Sequence, residues 1–369
     1  MQLHLAFDAK RAFHNGTGLG NYSRFILSQM ALLEPEGRYL LLNPKRGVYF
    51  NQRSTVLKEV LPSGIWTHFS ALWRSGGMLN DLKRHEVKVF HGLSNELPWG
   101  LKKAKLASVV SIHDLIFESH PQFYKPADRL IYRRKFKSAA ENADVVVAVS
   151  QFTKQELIHR YGIPAQKIEV HYQSCHPAFY SQDAVVLSGE FKAKIPQDFV
   201  LYVGTIEERK RLMDVILAIK QLDIPLVVVG KGGKYANLCK TYVQNEKIQN
   251  RVIFIETIGI SDLVALYRMA KTFIYPSEVE GFGIPIIEAL FSHCPVITTK
   301  GGVFHETGGP NSIYVKMGDV ENMAASLNAL LANQVYASEV ATKGYIYAQK
   351  HFLPNRCMHG LIELYKSLH

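Results

Sequence analysis

The stretch Glu280-Gly-Phe-Gly-Ile-Pro-Ile-Ile-Glu288 sets two carboxylates eight positions apart, with a Gly-x-Gly turn and a helix start between them. It follows the apolar run Thr272-Phe-Ile-Tyr275, so Glu280 falls in the loop beyond a strand. Pro285 suits the first helical position, where its missing N–H removes no intrahelical bond. Glu288 is then expected in the first turn of a helix continuing through Phe291. Helix N-termini bind phosphate through free backbone N–H groups, and carboxylates accept from sugar hydroxyls. Together they suit a ligand that is part phosphate and part polyol, the chemistry of a nucleotide sugar.

Outward from this stretch, apolar runs alternate with helical patterns along the whole chain, which predicts parallel α/β sheets. Early strands are expected at Leu3–Phe7, Tyr39–Leu42, Val87–Phe90, Ala107–Ser111 and Val145–Ala148, with helices at Asn21–Leu33, Ala127–Glu141 and Gln151–Tyr161. Ser150 reads as the cap of the last of these. A polar stretch from Gln173 to Gln197 marks a boundary, and a second set follows: strands at Val200–Val203, Leu226–Gly230, Val252–Ile255, Thr272–Tyr275 and Val296–Thr299 with helices between. The expected division is a first Rossmann-like domain over 1–178 and a second over 179–349, with a helix at about 350–369 packing back onto the first. In such sheets ligands sit beyond the carboxyl ends of the strands.

The 369 residues are 47% hydrophobic and 20% charged, an ordinary globular composition. No apolar run approaches the roughly 20 residues that span a bilayer, and the N-terminus lacks the basic start of a signal peptide. The four cysteines form no C-x-x-C pair, so a reduced, cytoplasmic setting is expected. Residues 1–180 hold 24 Lys+Arg against 14 Asp+Glu, and carry nearly all of the net charge of +11. That asymmetry points to an anionic partner for the first half: membrane lipid, a phosphorylated acceptor or nucleic acid.

Several features carry both a chemical and a structural reading. Gly16-Thr-Gly18-Leu-Gly20 follows the first strand and opens a helix; it is a flexible turn or a backbone that must approach a ligand phosphate. Arg209-Lys-Arg211 precedes a helix as either a solvated charge run or a diphosphate clamp. Gly230-Lys-Gly-Gly-Lys234 lacks the spacing and the Ser/Thr of a P-loop, leaving a strand-to-helix turn near a nucleotide. His113, before Asp114, ends an expected central strand at its ligand-facing end; His91 has the same placement. Arg129, Arg133 and Lys137 line one helix as a solvated face or a surface for anionic lipid heads. No D-x-D, H-E-x-x-H or G-x-S-x-G occurs, so neither metal catalysis nor a serine nucleophile is suggested.

The ordered series resembles the retaining glycosyltransferases of family four (group 1), which have the GT-B fold: α/β, two Rossmann-like domains facing a deep interdomain cleft. It runs through Thr17-Gly-Leu-Gly-Asn-Tyr22, His91-Gly92, Ile112-His-Asp114, Tyr202-Val-Gly-Thr-Ile-Glu207, Arg209-Lys210, Val227-Val-Val-Gly230, Glu280 to Glu288, and Gly301-Gly-Val-Phe-His-Glu306. The resemblance implies that Glu288 bonds the nucleotide ribose and that Glu280 holds the donor sugar. It implies that backbone N–H groups at Phe282, Gly283 and Ile284 meet the sugar and phosphate, and that Lys210 and Arg209 neutralise the departing diphosphate. Gly18, with Gly16, approaches that diphosphate, and His113 lies near the donor sugar. Thr205 and Gly230 fall among the donor-side positions, although many relatives carry Arg where this chain has Thr205.

The implied activity is metal-independent, cofactor-free transfer of a hexose from a nucleotide sugar, with a GDP-mannose-type donor favoured over a UDP sugar. The implied acceptor is a glycan or lipid-linked acceptor in surface polysaccharide or lipopolysaccharide synthesis, at the inner membrane face. A nucleotide-sugar epimerase of the same fold is the rival enzyme, distinguished by product formed from donor alone. A non-catalytic sugar-nucleotide or nucleic-acid binding protein is the other rival; no nucleic-acid motif accompanies the basic half.

Overall fold

The computed structural model describes residues 2–51 and 54–369. Two parallel sheets organise it. The first contains β1 (His4–Asp8), β2 (Arg38–Leu42), β3 (Leu57–Val60), β4 (Val89–Gly92), β5 (Ala107–Ile112), β6 (Val145–Ala148) and β7 (Ile168–Val170), in the order β3-β2-β1-β4-β5-β6-β7. The second contains β8 (Val200–Val203), β9 (Leu226–Val229), β10 (Val252–Ile255), β11 (Thr272–Tyr275), β12 (Val296–Thr299) and β13 (Ile313–Val315), in the order β10-β9-β8-β11-β12-β13. Each sheet thus grows outward from its first strand and then reverses, the doubly wound pattern of Rossmann-like domains. Chain contacts group residues 1–174 and 354–369 into one unit and 175–353 into the other.

The strand sequences follow from coverage on both faces. Leu226-Val-Val-Val229 and Val146-Val-Ala148 are continuous apolar runs with every residue buried, as expected where helices cover both sides of a parallel sheet. The helix Leu212–Lys220 buries Leu212, Val215, Ile216 and Ile219 against the second sheet. Each such side chain contributes roughly 1.5–3 kcal/mol, which offsets the marginal stability of a nine-residue helix. Ser150 caps the helix Gln151–Tyr161 by accepting from the Thr153 N–H at 3.0 Å. The edge strands β3 and β13 have no clear signal in the sequence; they are short and only partly buried.

The last helix, Pro354–Leu368, starts one residue after the helix Gln334–Phe352 ends, because Pro354 cannot continue it. It is held in the first unit by a buried polar chain. His91 Nδ1 lies 2.5 Å from Tyr365 Oη, His91 Nε2 lies 2.8 Å from Ser111 Oγ, and Ser111 Oγ lies 2.7 Å from Tyr22 Oη. Every member of this chain has a partner, as buried polar groups require. Burial, with His171 and His113 nearby, pushes His91 down to about 3, so the ring stays neutral. His91 is therefore a structural hub joining β4, β5 and two helices.

The glycine turn after β1 divides into two kinds of position. A side chain at Gly20 would place its Cβ 1.8 Å from the Asn15 carbonyl oxygen, whereas a Cβ at Gly18 would meet nothing within 4 Å. Gly20→Ala is expected to lower stability by about 1–3 kcal/mol through backbone displacement, and Gly18→Ala to leave it unchanged. Urea unfolding of the two variants checks this; equal midpoints would refute it.

Candidate functional site

In the second sheet β8 and β11 are neighbours where the strand order reverses, the position at which doubly wound sheets bind ligands. The β8 loop carries Arg209 and Lys210; the β11 loop carries Glu280. Backbone and side-chain bonds zip the two loops together. The Glu278 N–H donates to the Arg209 carbonyl at 2.8 Å, and Arg209 Nη1 donates to the Val279 carbonyl at 3.1 Å. Arg211, which ends the turn, is in left-handed conformation (φ 54°), unusual for a residue with a side chain. Its guanidinium is tied to Asp214 at 2.6 Å.

At the centre, four donors converge on one oxygen of Glu280. Lys210 Nζ, Arg209 Nη1 (3.3 Å), Tyr275 Oη (3.0 Å) and Ser277 Oγ (2.6 Å) all bond Oε1. Lys210 Nζ also donates to Tyr275 Oη at 2.5 Å. The Lys210 and Glu280 side chains are 8% and 11% exposed, so this is a nearly buried ion pair inside a satisfied network. Burial by itself would raise the Glu280 pKa, but the charges of Lys210 and Arg209 prevail and hold it down to about 2. Burial lowers Lys210, against the pull of Glu280.

Glu288 has a different environment. The helix spans Ile284–Phe291, so Glu288 lies in its second turn rather than the first, which holds no acidic residue. Helix formation begins at Ile284, one residue before Pro285, because Gly283 takes the left-handed cap conformation (φ 109°) that a side chain resists. Glu288 Oε2 accepts from Tyr267 Oη at 3.1 Å. With no cation beside it, burial raises it to about 7 despite that bond. The two carboxylates of the opening motif are thus chemically distinct: one fixed as an anion, the other titrating near neutrality.

The remaining positions divide by unit. In the second unit, Thr205 is exposed beside Gly204, and Phe282 is buried edge-on to Phe352. Gly230 has a packing reason for being glycine, since a Cβ there would lie 1.9 Å from the Gly204 carbonyl oxygen. In the first unit, Gly16 and Gly18 are exposed, and Gly18 opens the helix Gly18–Leu33. Arg24 Nη1 braces their loop through the Asn15 carbonyl at 2.8 Å. His113 is buried and donates from Nε2 to the Leu93 carbonyl at 2.9 Å, with Tyr22 packed edge-on at 4.6 Å. Burial pushes His113 down to about 4, partly offset by that carbonyl. Tyr275, Ser277 and Tyr267 were missed by sequence reasoning. Tyr275 ends its strand five residues before Glu280, a usable signal; Tyr267 sits on a helix 21 residues from Glu288, and nothing local links them.

Among the described residues, no three His, Cys, Asp or Glu side chains converge as a metal site, and no helix is long and apolar enough to cross a membrane.

Two family models fit the chain in succession. Residues 39–175 match Glycosyltransferase Family 4, and residues 188–350 match Glycosyl transferases group 1. The chain belongs to the family-four, group 1 glycosyltransferases and has their GT-B class of Rossmann-like domains. Among its relatives is O-antigen chain mannosyltransferase B of Escherichia coli, 28% identical over 296 residues, which are 78% of this chain and 76% of the relative. Some other mannosyltransferase relatives are matched over as little as 31% of their length. The fold is shared with sucrose-phosphate synthase from Thermosynechococcus elongatus (TM-score 0.81, 18% identity, 100% of this chain and 99% of the other). It is also shared with HepE of Anabaena, solved in complex with UDP-glucose (TM-score 0.75, 17% identity, 98% and 99%).

Linkage gives the two glutamates opposite signs. Glu280, depressed from the ordinary 4.5 to about 2, contributes stability above pH 4.5 that is lost as pH falls toward 2. Glu288, raised to about 7, subtracts stability as pH rises from 4.5 to about 7, because the unfolded chain ionises there first. Glu288→Gln should therefore gain on the parent protein steadily over that window. Urea unfolding at several pH values measures it, and a pH-independent difference would remove burial as the cause.

Proposed function

We propose that this chain is a retaining hexosyltransferase that moves mannose from a GDP-mannose-type donor to a glycan or lipid-linked acceptor in surface polysaccharide synthesis. The observation that carries this reading is the convergence of Lys210, Arg209, Tyr275 and Ser277 on Glu280 Oε1 at the reversal of the second sheet. The name of the E. coli relative supports mannose, and a UDP sugar is the alternative donor, the kind held by HepE.

In this reading Glu280, kept ionised at all working pH values, accepts from hydroxyls of the donor sugar. Lys210 has three N–H donors; Glu280 and Tyr275 take two, and the third meets the leaving diphosphate. Arg209 and the N–H groups at Phe282, Gly283 and Ile284 add to that neutralisation, so the scheme uses no metal ion. Glu288 accepts from the ribose, with Tyr267 orienting it, and Thr205 and Gly230 lie along the donor. Gly18 and Gly16 offer backbone N–H groups to the diphosphate. His113 stays neutral and bonds the sugar as a polar partner, not as an acid. The acceptor hydroxyl attacks the anomeric carbon on the face the diphosphate leaves, its proton passing to a phosphate oxygen. The carbon–phosphate oxygen bond breaks as the new glycosidic bond forms, with configuration retained.

Lys210→Ala is expected to reduce turnover about 100-fold or more while changing GDP affinity far less. Glu288→Ala should instead weaken GDP binding. Transfer assays with GDP-mannose, calorimetry with GDP, and the anomeric coupling of the product by NMR test the scheme. Undiminished turnover in Lys210→Ala would reject the clamp, and an inverted product would reject retention.

The proposed setting is the cytoplasmic face of a membrane. The helix Pro126–Asn142 displays Leu130 and Ile131, each 50% exposed, among its basic residues. Flotation with vesicles containing anionic lipid, weakened by salt, is the expected result; equal flotation with neutral vesicles would count against the electrostatic part.

A further inference from the structure

We propose that Tyr365, on the last helix, is a positioning residue for sugar transfer: through His91 and Ser111 it fixes Tyr22, and Tyr22 holds both His113 and the glycine turn. This role rests on the transferase reading above, which puts His113 at the donor sugar. All of these residues lie in the first unit. Tyr365 comes from the helix Pro354–Leu368, His91 from β4, Ser111 from β5 and Tyr22 from the helix Gly18–Leu33. Each of the four is 2% exposed or less, so bulk water does not compete for their bonds.

Proton counting gives the row a single direction at any moment. A neutral imidazole has one N–H donor and one acceptor nitrogen, and burial keeps His91 neutral. Tyr365 Oη at Nδ1 (2.5 Å) and Ser111 Oγ at Nε2 (2.8 Å) must therefore play opposite parts. If Tyr365 donates, His91 Nε2–H donates to Ser111, and Ser111 donates to Tyr22 at 2.7 Å; if Tyr365 accepts, every bond reverses. The Tyr365 hydroxyl thus enters the orientation of each group as far as Tyr22. Without it, Nδ1 is left buried and unpaired, a cost that relaxes through the His91 and Ser111 side chains and loosens their hold on Tyr22.

Tyr22 is where the row meets the site. Its ring stands edge-on to the His113 imidazole, with centroids 4.6 Å apart and planes at 90°. The His113 backbone N–H donates to Asn95 Oδ1 at 2.8 Å, and its Nε2–H donates to the Leu93 carbonyl at 2.9 Å. With the proton on Nε2, Nδ1 is the acceptor, and it has no hydrogen-bond partner among the described residues. A ring held by one side-chain bond can pivot about it; the edge of Tyr22 supplies the second constraint on where Nδ1 points. Tyr22 also lies four residues after Gly18, on the same helix face, so its tie to β5 steadies the helix start that carries the Gly18 N–H. Phe7 packs on Tyr365 and on His91, each at 6.1 Å. A purely structural role would need only these ring contacts, since apolar groups of the same volume pack as well. Three hydroxyls and an imidazole in a buried row add direction, which packing does not supply.

Tyr365→Phe and Tyr22→Phe in the full chain remove one hydroxyl each and keep the rings. Turnover is read as GDP released from GDP-mannose with water as the acceptor, per folded molecule. Each variant is expected to lower kcat about fivefold or more, with KM and GDP affinity within about twofold of the parent. The double variant should lose no more than about twofold beyond either single, because both act through one row. The nitrogen-15 signals of the His113 imidazole should move in both. Met358→Ala, buried on the same helix but outside the row, controls for plain destabilisation. It should lower Tm at least as far, yet keep the parental kcat and His113 signals. Ser111→Ala cuts the row in its middle and should repeat the loss, which decides the matter if Tyr365→Phe does not fold. Parental kcat with unmoved His113 signals in Tyr365→Phe would overturn the proposal, as would an equal loss of kcat in Met358→Ala. If the parent releases no GDP from GDP-mannose, the donor assignment falls and the His113 signals decide alone. Signals moved by Tyr365→Phe but not by Met358→Ala then uphold the row, and unmoved signals overturn it.

Discussion

The second unit depends on one nearly buried ion pair, Lys210 with Glu280. Removing either partner of such a pair leaves an uncompensated charge, which is destabilising by about 3–5 kcal/mol. The pair and the Glu278–Arg209 backbone bond together tie the β8 and β11 loops to each other. The pair also makes the reversal point of the second sheet polar. A hydrophobic pair of the same volume would pack at least as well, so stability alone does not explain these residues. The arrangement makes sense as a charge distribution kept ready for a ligand, with the desolvation already offset by Tyr275 and Ser277.

How far this was legible in the sequence depended on the range of the interaction. The strands were readable because burial on both faces writes itself as continuous Val, Ile and Leu, as in Leu226–Val229. The two parallel α/β sheets followed from the alternation of strands and helices. Edge strands such as β13 left no such mark. The charge run Arg209-Lys-Arg211 read as one feature, yet the fold sends its members to different partners: Lys210 inward to Glu280, Arg211 back to Asp214. That division depends on a left-handed turn at Arg211, which no propensity announces. The Lys210–Glu280 contact joins residues 70 apart; only strand adjacency brings them together.

The motif glutamates show the same limit at short range. Spacing alone treats Glu280 and Glu288 as equivalents. Their surroundings separate them: cations depress one, while burial beside a single phenol raises the other. A helix that begins at Ile284 rather than Pro285 was enough to move Glu288 out of the first turn, where the helix dipole would have favoured its anion. The glycine turn behaves similarly. Gly20 and Gly18 look alike in sequence, but only Gly20 is required by the contacts of its own fold.

The two sheets share a topology but fill their reversal points differently. Each places an Arg or Lys against a carboxylate where two neighbouring strands diverge: Lys210 with Glu280 in one, Arg74 with Asp8 and Glu96 in the other. In the second unit the acid is held by two cations and two hydroxyls on a single oxygen, which makes a compact anion. In the first, one guanidinium spans two acids, leaving Lys102 and Lys103 nearby without an ion-pair partner among the described residues. What each reversal point can bind is set by which charges the fold neutralises internally and which it leaves for a ligand. A group-transfer protein needs two such sites of different character, and repeating one sheet topology with different charges at the same structural position is a direct way to build them.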